Sequence, residues 1–187
     1  MNETILQLTT RNSAPRLCEP APDKVTLDYM IEAALRAPDH AWLQPWRFLV
    51  VRGESRDALG RVFEKALLAG NPEADEEARN KALAAPLRAP LMVVVVCRYT
   101  EHPKVPHQEQ IISAGCAAHA MMLAAEAQGY AGIWRTGSYA EDPVVAEGLG
   151  LAANESIIGF LYFGTREGRA KPLPERPQDN FVEEWSP

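Results

Sequence analysis

Leu91-Met92-Val93-Val94-Val95-Val96-Cys97 runs for seven residues without a charged or polar side chain. A strand with one face in water alternates apolar and polar residues, so this uninterrupted, valine-rich run predicts a strand covered on both faces and central in its sheet. It is far too short to cross a bilayer, which takes about 20 apolar residues in helical form. Pro86 and Pro90 close the segment before it, and Tyr99 to Pro106 follows as a polar, proline-containing loop.

Helical and strand patterns flank this run on both sides. Leu27, Met30, Ile31, Ala34 and Leu35 keep the spacing of a buried helical face, with Thr26 placed as the cap, Arg36-Ala37 as the end and Pro38 as the stop. Arg47 to Arg52 reads as a strand, and Leu59, Val62, Phe63, Ala66 and Leu67 then repeat the helical spacing behind a Ser55 N-cap. Asn71-Pro72 followed by carboxylates predicts another helix start, because a capping side chain, a proline and early negative charge all suit exposed amides. Downstream, Gln108 to Gln128 is helical and carries very small side chains from Ala114 to Ala120 that let another backbone come close. Gly129 is placed to end that helix in a left-handed conformation. Gly132-Ile133-Trp134 leads into a short strand, Asp142-Pro143 starts a brief helix, and Ser156 to Phe163 is the last apolar strand. The whole chain, 1–187, reads as one domain, with 166–187 as an extended C-terminal arm. Pro172, Pro174 and Pro177 bar regular structure in that arm, and Phe181 and Trp185 predict that it packs along its own subunit or a partner.

Composition narrows the function. Of 187 residues, 47% are hydrophobic and 24% charged, which suits a globular protein and argues against extensive disorder. A net charge of −6 repels a phosphate backbone at long range, and no basic cluster offsets it, so nucleic-acid binding is not expected. Met1 to Arg11 lacks the basic start and apolar core of a signal peptide, which predicts a cytoplasmic protein without a membrane partner. Cys18, Cys97 and Cys116 are widely spaced and form no CxxC pattern, so they read as reduced structural thiols and no metal site is predicted.

Familiar catalytic signatures are missing. There is no Walker A sequence, no HExxH among His40, His102, His107 and His119, and no GxSxG elbow around Ser13. Gly148-Leu149-Gly150-Leu151-Ala152-Ala153 matches a dinucleotide fingerprint only in letters, because a short helix precedes it where the fingerprint needs a strand. A chain with few acid–base or nucleophilic candidates is what a bound cofactor carrying the difficult step would leave.

Three segments in order carry a resemblance: Arg11-Asn12-Ser13, then Arg36-Ala37-Pro38-Asp39-His40 with Gln44-Pro45-Trp46, then Gly132-Ile133-Trp134-Arg135-Thr136. With the Ser113-Ala114-Gly115 helix and the Ile158 to Thr165 strand, they make the chain similar, over nearly its whole length, to the nitroreductase family and its short, YdjA-like branch. The resemblance implies an α+β, nitroreductase-like, FMN-dependent fold: a central antiparallel-dominated sheet surrounded by helices, in a homodimer with FMN held between the subunits. It implies that Arg11, Asn12 and Ser13 meet the phosphate and ribityl end, where a guanidinium pairs bidentately with phosphate. It places Arg36 and His40 at the flavin of the other subunit, where either can offset charge developing on the reduced ring. Trp134, Arg135 and Thr136 correspond to a second flavin segment. Ala124, Ala125, Glu126, Ala127, Gln128 and Gly129 correspond to a stretch assigned to NAD(P) in that branch, although as residues they read as the end of a packed helix. Many family members carry a basic residue where this chain has Pro15, followed by Arg16, so either Arg16 or Arg36 supplies the cation near the flavin N1 and O2 atoms.

The activity implied is a ping-pong one, with NAD(P)H as electron donor and nitro compounds, quinones or similar small molecules as acceptors. The resemblance also reaches FMN-dependent dehydrogenases and dehalogenases of small metabolites. A flavin-binding or redox-sensing protein with little turnover is the alternative from another class.

Overall fold

The computed structural model describes residues 2–186. Helix α1 (Glu3–Thr10) leads through a two-residue strand β1 (Leu17–Cys18) to α2 (Lys24–Ala34) and β2 (Trp46–Arg52). Helices α3 (Glu54–Gly70) and α4 (Glu76–Ala84) precede β3 (Leu91–Arg98), and the long α5 (His107–Ala127) follows it. Strand β4 (Ala131–Arg135), α6 (Pro143–Gly148) and β5 (Glu155–Arg166) complete the core.

Every strand pairing is antiparallel. Strand β3 lies between β2 and β5, while β5 also receives β4 and, at its far end, β1. The pleat explains the apolar run that begins at Leu91. Leu91, Val93 and Val95 pack on α2 and α5 through Met30, Ala117 and Met121, whereas Met92, Val94 and Val96 pack on α3 and α6 through Phe63 and Val145. Helices therefore cover both faces, and Val93 to Val96 have no exposed surface. Burying one such valine contributes about 1.5 kcal/mol or more.

Helix starts depart from several sequence expectations. Asp23, not Thr26, caps α2: its carboxylate accepts the Thr26 N–H at 2.8 Å, so the helix begins earlier. The same helix ends at Ala34, short of Arg36-Ala37. Gly53, at φ 57°, turns the chain straight from β2 into α3 and leaves Ser55 inside the helix. Asn71 closes α3 by donating its N–H to the Leu67 carbonyl, and α4 starts behind Asp75. In contrast, Gly129 adopts the expected left-handed conformation at φ 82°, and Asp142 caps α6. The C-terminal arm holds one short turn at Gln178–Asn180, and Phe181 and Trp185 are 73% and 87% exposed.

At one end of the sheet Glu155 ties three strands together. Its carboxylate accepts from Arg47 Nε at 2.9 Å and Nη2 at 2.5 Å, and from Arg98 Nε at 3.0 Å. The Arg47 hydrogen bond is the main influence that holds its carboxyl at about 2, and the Arg98 hydrogen bond adds to it. Burial pushes the Cys97 thiol up to about 11, which makes it a poor nucleophile.

Candidate cofactor site

The site starts where α1 ends. Arg11 leaves the helix in an extended conformation, and the next residues are pinned from several directions. The Ala14 N–H donates to the Gly132 carbonyl of β4 at 3.0 Å, and the Asn12 N–H to Glu126 Oε1 of α5 at 3.3 Å. The Asn12 side-chain amide donates to the Lys171 carbonyl at 2.5 Å, while Arg166 Nη2 donates to the Asn12 carbonyl at 2.9 Å. Asn12 therefore joins three distant parts of the chain. Beside it a cavity of about 670 Å³ is lined by Arg11, Asn12, Ser13, Lys171 and Arg176, with no carboxylate among its lining residues. The sequence reading missed Lys171 and Arg176. They are scattered through the proline-interrupted arm from Arg169 to Arg176, which nothing local connected to Arg11.

Two further cavities meet along α5. A groove of about 550 Å³ runs between Arg36, Pro38, Cys116, His119 and Ala120, and a larger one of about 840 Å³ opens beside Trp134 and Thr136. Gly115 lines both, so the small-residue face of α5 forms a common floor. His119, one turn from Gly115, was not singled out by the sequence. The indole of Trp134 sits over Gly115 and against Gly159, where an added Cβ would meet Trp134 Nε1 at 2.0 Å. Trp134 also packs on the α5-side core, so it serves both the core and the cavity.

The expected contact residues do not all converge within one chain. Arg36 lines the groove, whereas His40 Nδ1 lies 2.8 Å from Glu109 Oε2 with both side chains about half exposed. Between His40 and the Pro45 turn, Ala41, Trp42 and Gln44 hold φ of 62°, 57° and 47°, which costs each non-glycine residue about 1–2 kcal/mol. Asp39 braces this loop by accepting the Gln44 N–H at 2.8 Å, and Trp42 is left 85% exposed. Arg16 lies 4.0 Å from Glu167 and is not among the residues lining the Arg36 groove.

Strand alternation divides the β4 segment. Trp134 faces the α5 layer, while Arg135 lines a separate cavity with Phe63, Tyr139 and Tyr162 on the α3 side. The stretch from Ala124 to Gly129 ends α5: Ala125 is fully buried, and the Gln128 side chain donates to the carbonyls of Ala124 at 3.0 Å and Thr26 at 3.4 Å. Within that stretch Ala127 is the last helical residue, and Glu126 anchors Asn12.

The sequence profile described as "Nitroreductase family" matches residues 17–165. "Putative NAD(P)H nitroreductase YdjA" of Escherichia coli K12 is 47% identical over 163 residues, covering 87% of this chain and 88% of that protein. The crystal structure of a nitroreductase-like family protein from Bacillus cereus superposes with a TM-score of 0.83 at 22% identity, covering 98% of this chain and 96% of the other. The structure described as "a putative nitroreductase in complex with FMN" from Desulfovibrio desulfuricans superposes with a TM-score of 0.77 at 19% identity over 100% and 99% of the two chains.

Proposed function

This chain belongs to the nitroreductase family, and from that premise we propose that it binds FMN between two copies of itself and acts as an NAD(P)H-dependent oxidoreductase on nitro compounds, quinones or similar acceptors. The observation that carries the proposal is the donor set beside Asn12: Arg11, Lys171 and Arg176 with the Ser13 hydroxyl, and no lining carboxylate. Three cations and a hydroxyl suit a phosphate monoester, and Arg11 can pair with two of its oxygens at once. FMN-bound structures of the same fold support the choice of cofactor.

Held here, FMN would supply a two-electron acceptor and donor linking NAD(P)H to the second substrate. The chain's own groups bind and orient. Arg11, Ser13, Lys171 and Arg176 hold the phosphate, and Asn12 fixes the loop that carries two of them. Trp134 and Thr136 offer backbone and ring along the larger cavity, while the small side chains of α5 leave room for a planar ring. Arg36 and His40 of the second copy place positive or proton-donating groups near the reduced ring, where fixed charges act without reorganisation. Since Arg135 turns its guanidinium to the other layer, its contribution here is through the backbone.

Surface chemistry as well as the family supports a dimer. Ile5, Leu8, Tyr29, Ile112, Phe181 and Trp185 are large apolar residues left 47%, 47%, 57%, 57%, 73% and 87% exposed. A monomer in water rarely leaves that much apolar surface uncovered. The decisive experiment is spectroscopy of the purified protein with its mass in solution. A yellow dimer carrying one FMN per chain, bleached by NADPH without oxygen and recoloured by a nitroaromatic or quinone, is expected. A colourless monomer, or flavin colour that persists with both NADH and NADPH, overturns the reading.

A further inference from the structure

The cavity on the α3 side of the sheet has a composition that the flavin does not explain. It measures about 350 Å³, within the usual range for small-molecule sites, which begins near 300 Å³. Its inner wall is aromatic: Phe63 and Tyr139 stack with ring centroids 4.2 Å apart, and Tyr162, 4% exposed, stands beside them. Lys81, Arg88 and Arg135 line the same cavity, and no Asp or Glu does.

Those three cations are unpaired. Among the described residues none of their side chains forms an ion pair or a hydrogen bond, in a chain with 25 acidic and 19 basic side chains. Arg47, Arg79 and Arg98 elsewhere on the same sheet and helices each hold a glutamate. Asp142 is close enough to act on Tyr139, but its Oδ1 accepts the Val144 and Val145 N–H groups at 2.8 and 3.3 Å. Like charges gathered without a counter-ion repel, and beside a low-dielectric wall they attract an anion more strongly than they would in open water.

We propose that this cavity binds a small planar aromatic carboxylate, its ring against the Tyr139 and Tyr162 wall and its carboxylate among Lys81, Arg88 and Arg135. Aromatic rings supply the stacking surface, and a guanidinium supplies the fork that matches a carboxylate. The site lies on the α3 side of β4, and Thr136 is the residue that lines both it and the larger cavity beside Trp134.

Titration calorimetry of the protein as purified, with its cofactor content measured in the same sample, tests this. The probe is 2-naphthoate, which has no nitro or quinone group, with 2-naphthylmethanol as the uncharged analogue. Expected are one naphthoate per chain, binding of the alcohol at least about tenfold weaker, and a similar loss in the Lys81→Ala/Arg88→Ala double variant. Both replaced side chains are exposed, so the variant should keep the parent's melting temperature, and Arg88→Lys should recover part of the affinity. No saturable binding to the parent protein, or equal affinity in the double variant, overturns the proposal. Cofactor content reads the flavin assignment separately, so either can fail alone.

Discussion

Arg11 and Ser13 are one residue apart on either side of Asn12, and that short spacing puts a fixed charge and a hydroxyl into one cavity while Asn12 holds the frame. Replacing Arg11 or Ser13 by alanine should weaken FMN retention by roughly ten- to a hundredfold, the worth of one charge-assisted hydrogen bond of about 1.5–3 kcal/mol. Equilibrium dialysis of FMN against each variant, beside its melting temperature, checks this; FMN affinity equal to the parent's would refute the assignment. Glu155 gives a residue-scale prediction of another kind. Its carboxyl sits at about 2 in the folded protein against an ordinary 4.5, so the unfolded chain takes up a proton first as pH falls. Stability from this group is complete above about 4.5 and is lost as pH drops through about 2. Glu155→Gln should therefore melt below the parent at neutral pH, with the gap closing between those two values. A gap that stays constant across that window would show that the carboxylate is not the cause.

Element boundaries show what local sequence rules can and cannot see. The apolar run from Leu91 to Cys97 was legible because burial on two faces removes alternation, and its short length and four valines favour a strand over a buried helix. Gly129 and Asp142 were legible because their roles depend on their own backbone or side chain. Thr26 and Ser55 misled for the opposite reason. Both residue types can cap, but Asp23 lies one turn earlier with a stronger acceptor, and the Gly53 turn out of β2 starts α3 before Ser55 is reached. The prediction is that Asp23→Ala lowers the urea unfolding midpoint, whereas Thr26→Ala lowers it clearly less. Equal losses would return the cap to Thr26. The site was legible in part for the same physical reason. Arg11 to Ser13 form a compact motif, whereas Lys171 and Arg176 join them only through an arm with no periodicity and a bond from Asn12 spanning the chain.

At the scale of the whole molecule, two helical layers close both faces of one antiparallel sheet, and yet large apolar side chains remain outside on α1, α2, α5 and the arm. If a second copy covers them, one charge in that surface should separate assembly from folding. Ile112→Glu is expected to yield a folded monomer that retains little FMN, read by light scattering and by flavin absorbance of the same fractions. A dimer with full flavin content would place the contact elsewhere. Strand β4 has a consequence for how such a protein can change over time. Trp134 and Arg135 are neighbours in sequence but belong to opposite compartments, separated by the thickness of a backbone. A substitution at Trp134 or at Arg135 therefore alters the lining of one compartment while leaving the other's, whereas Thr136, which lines both, cannot change without being felt on each side.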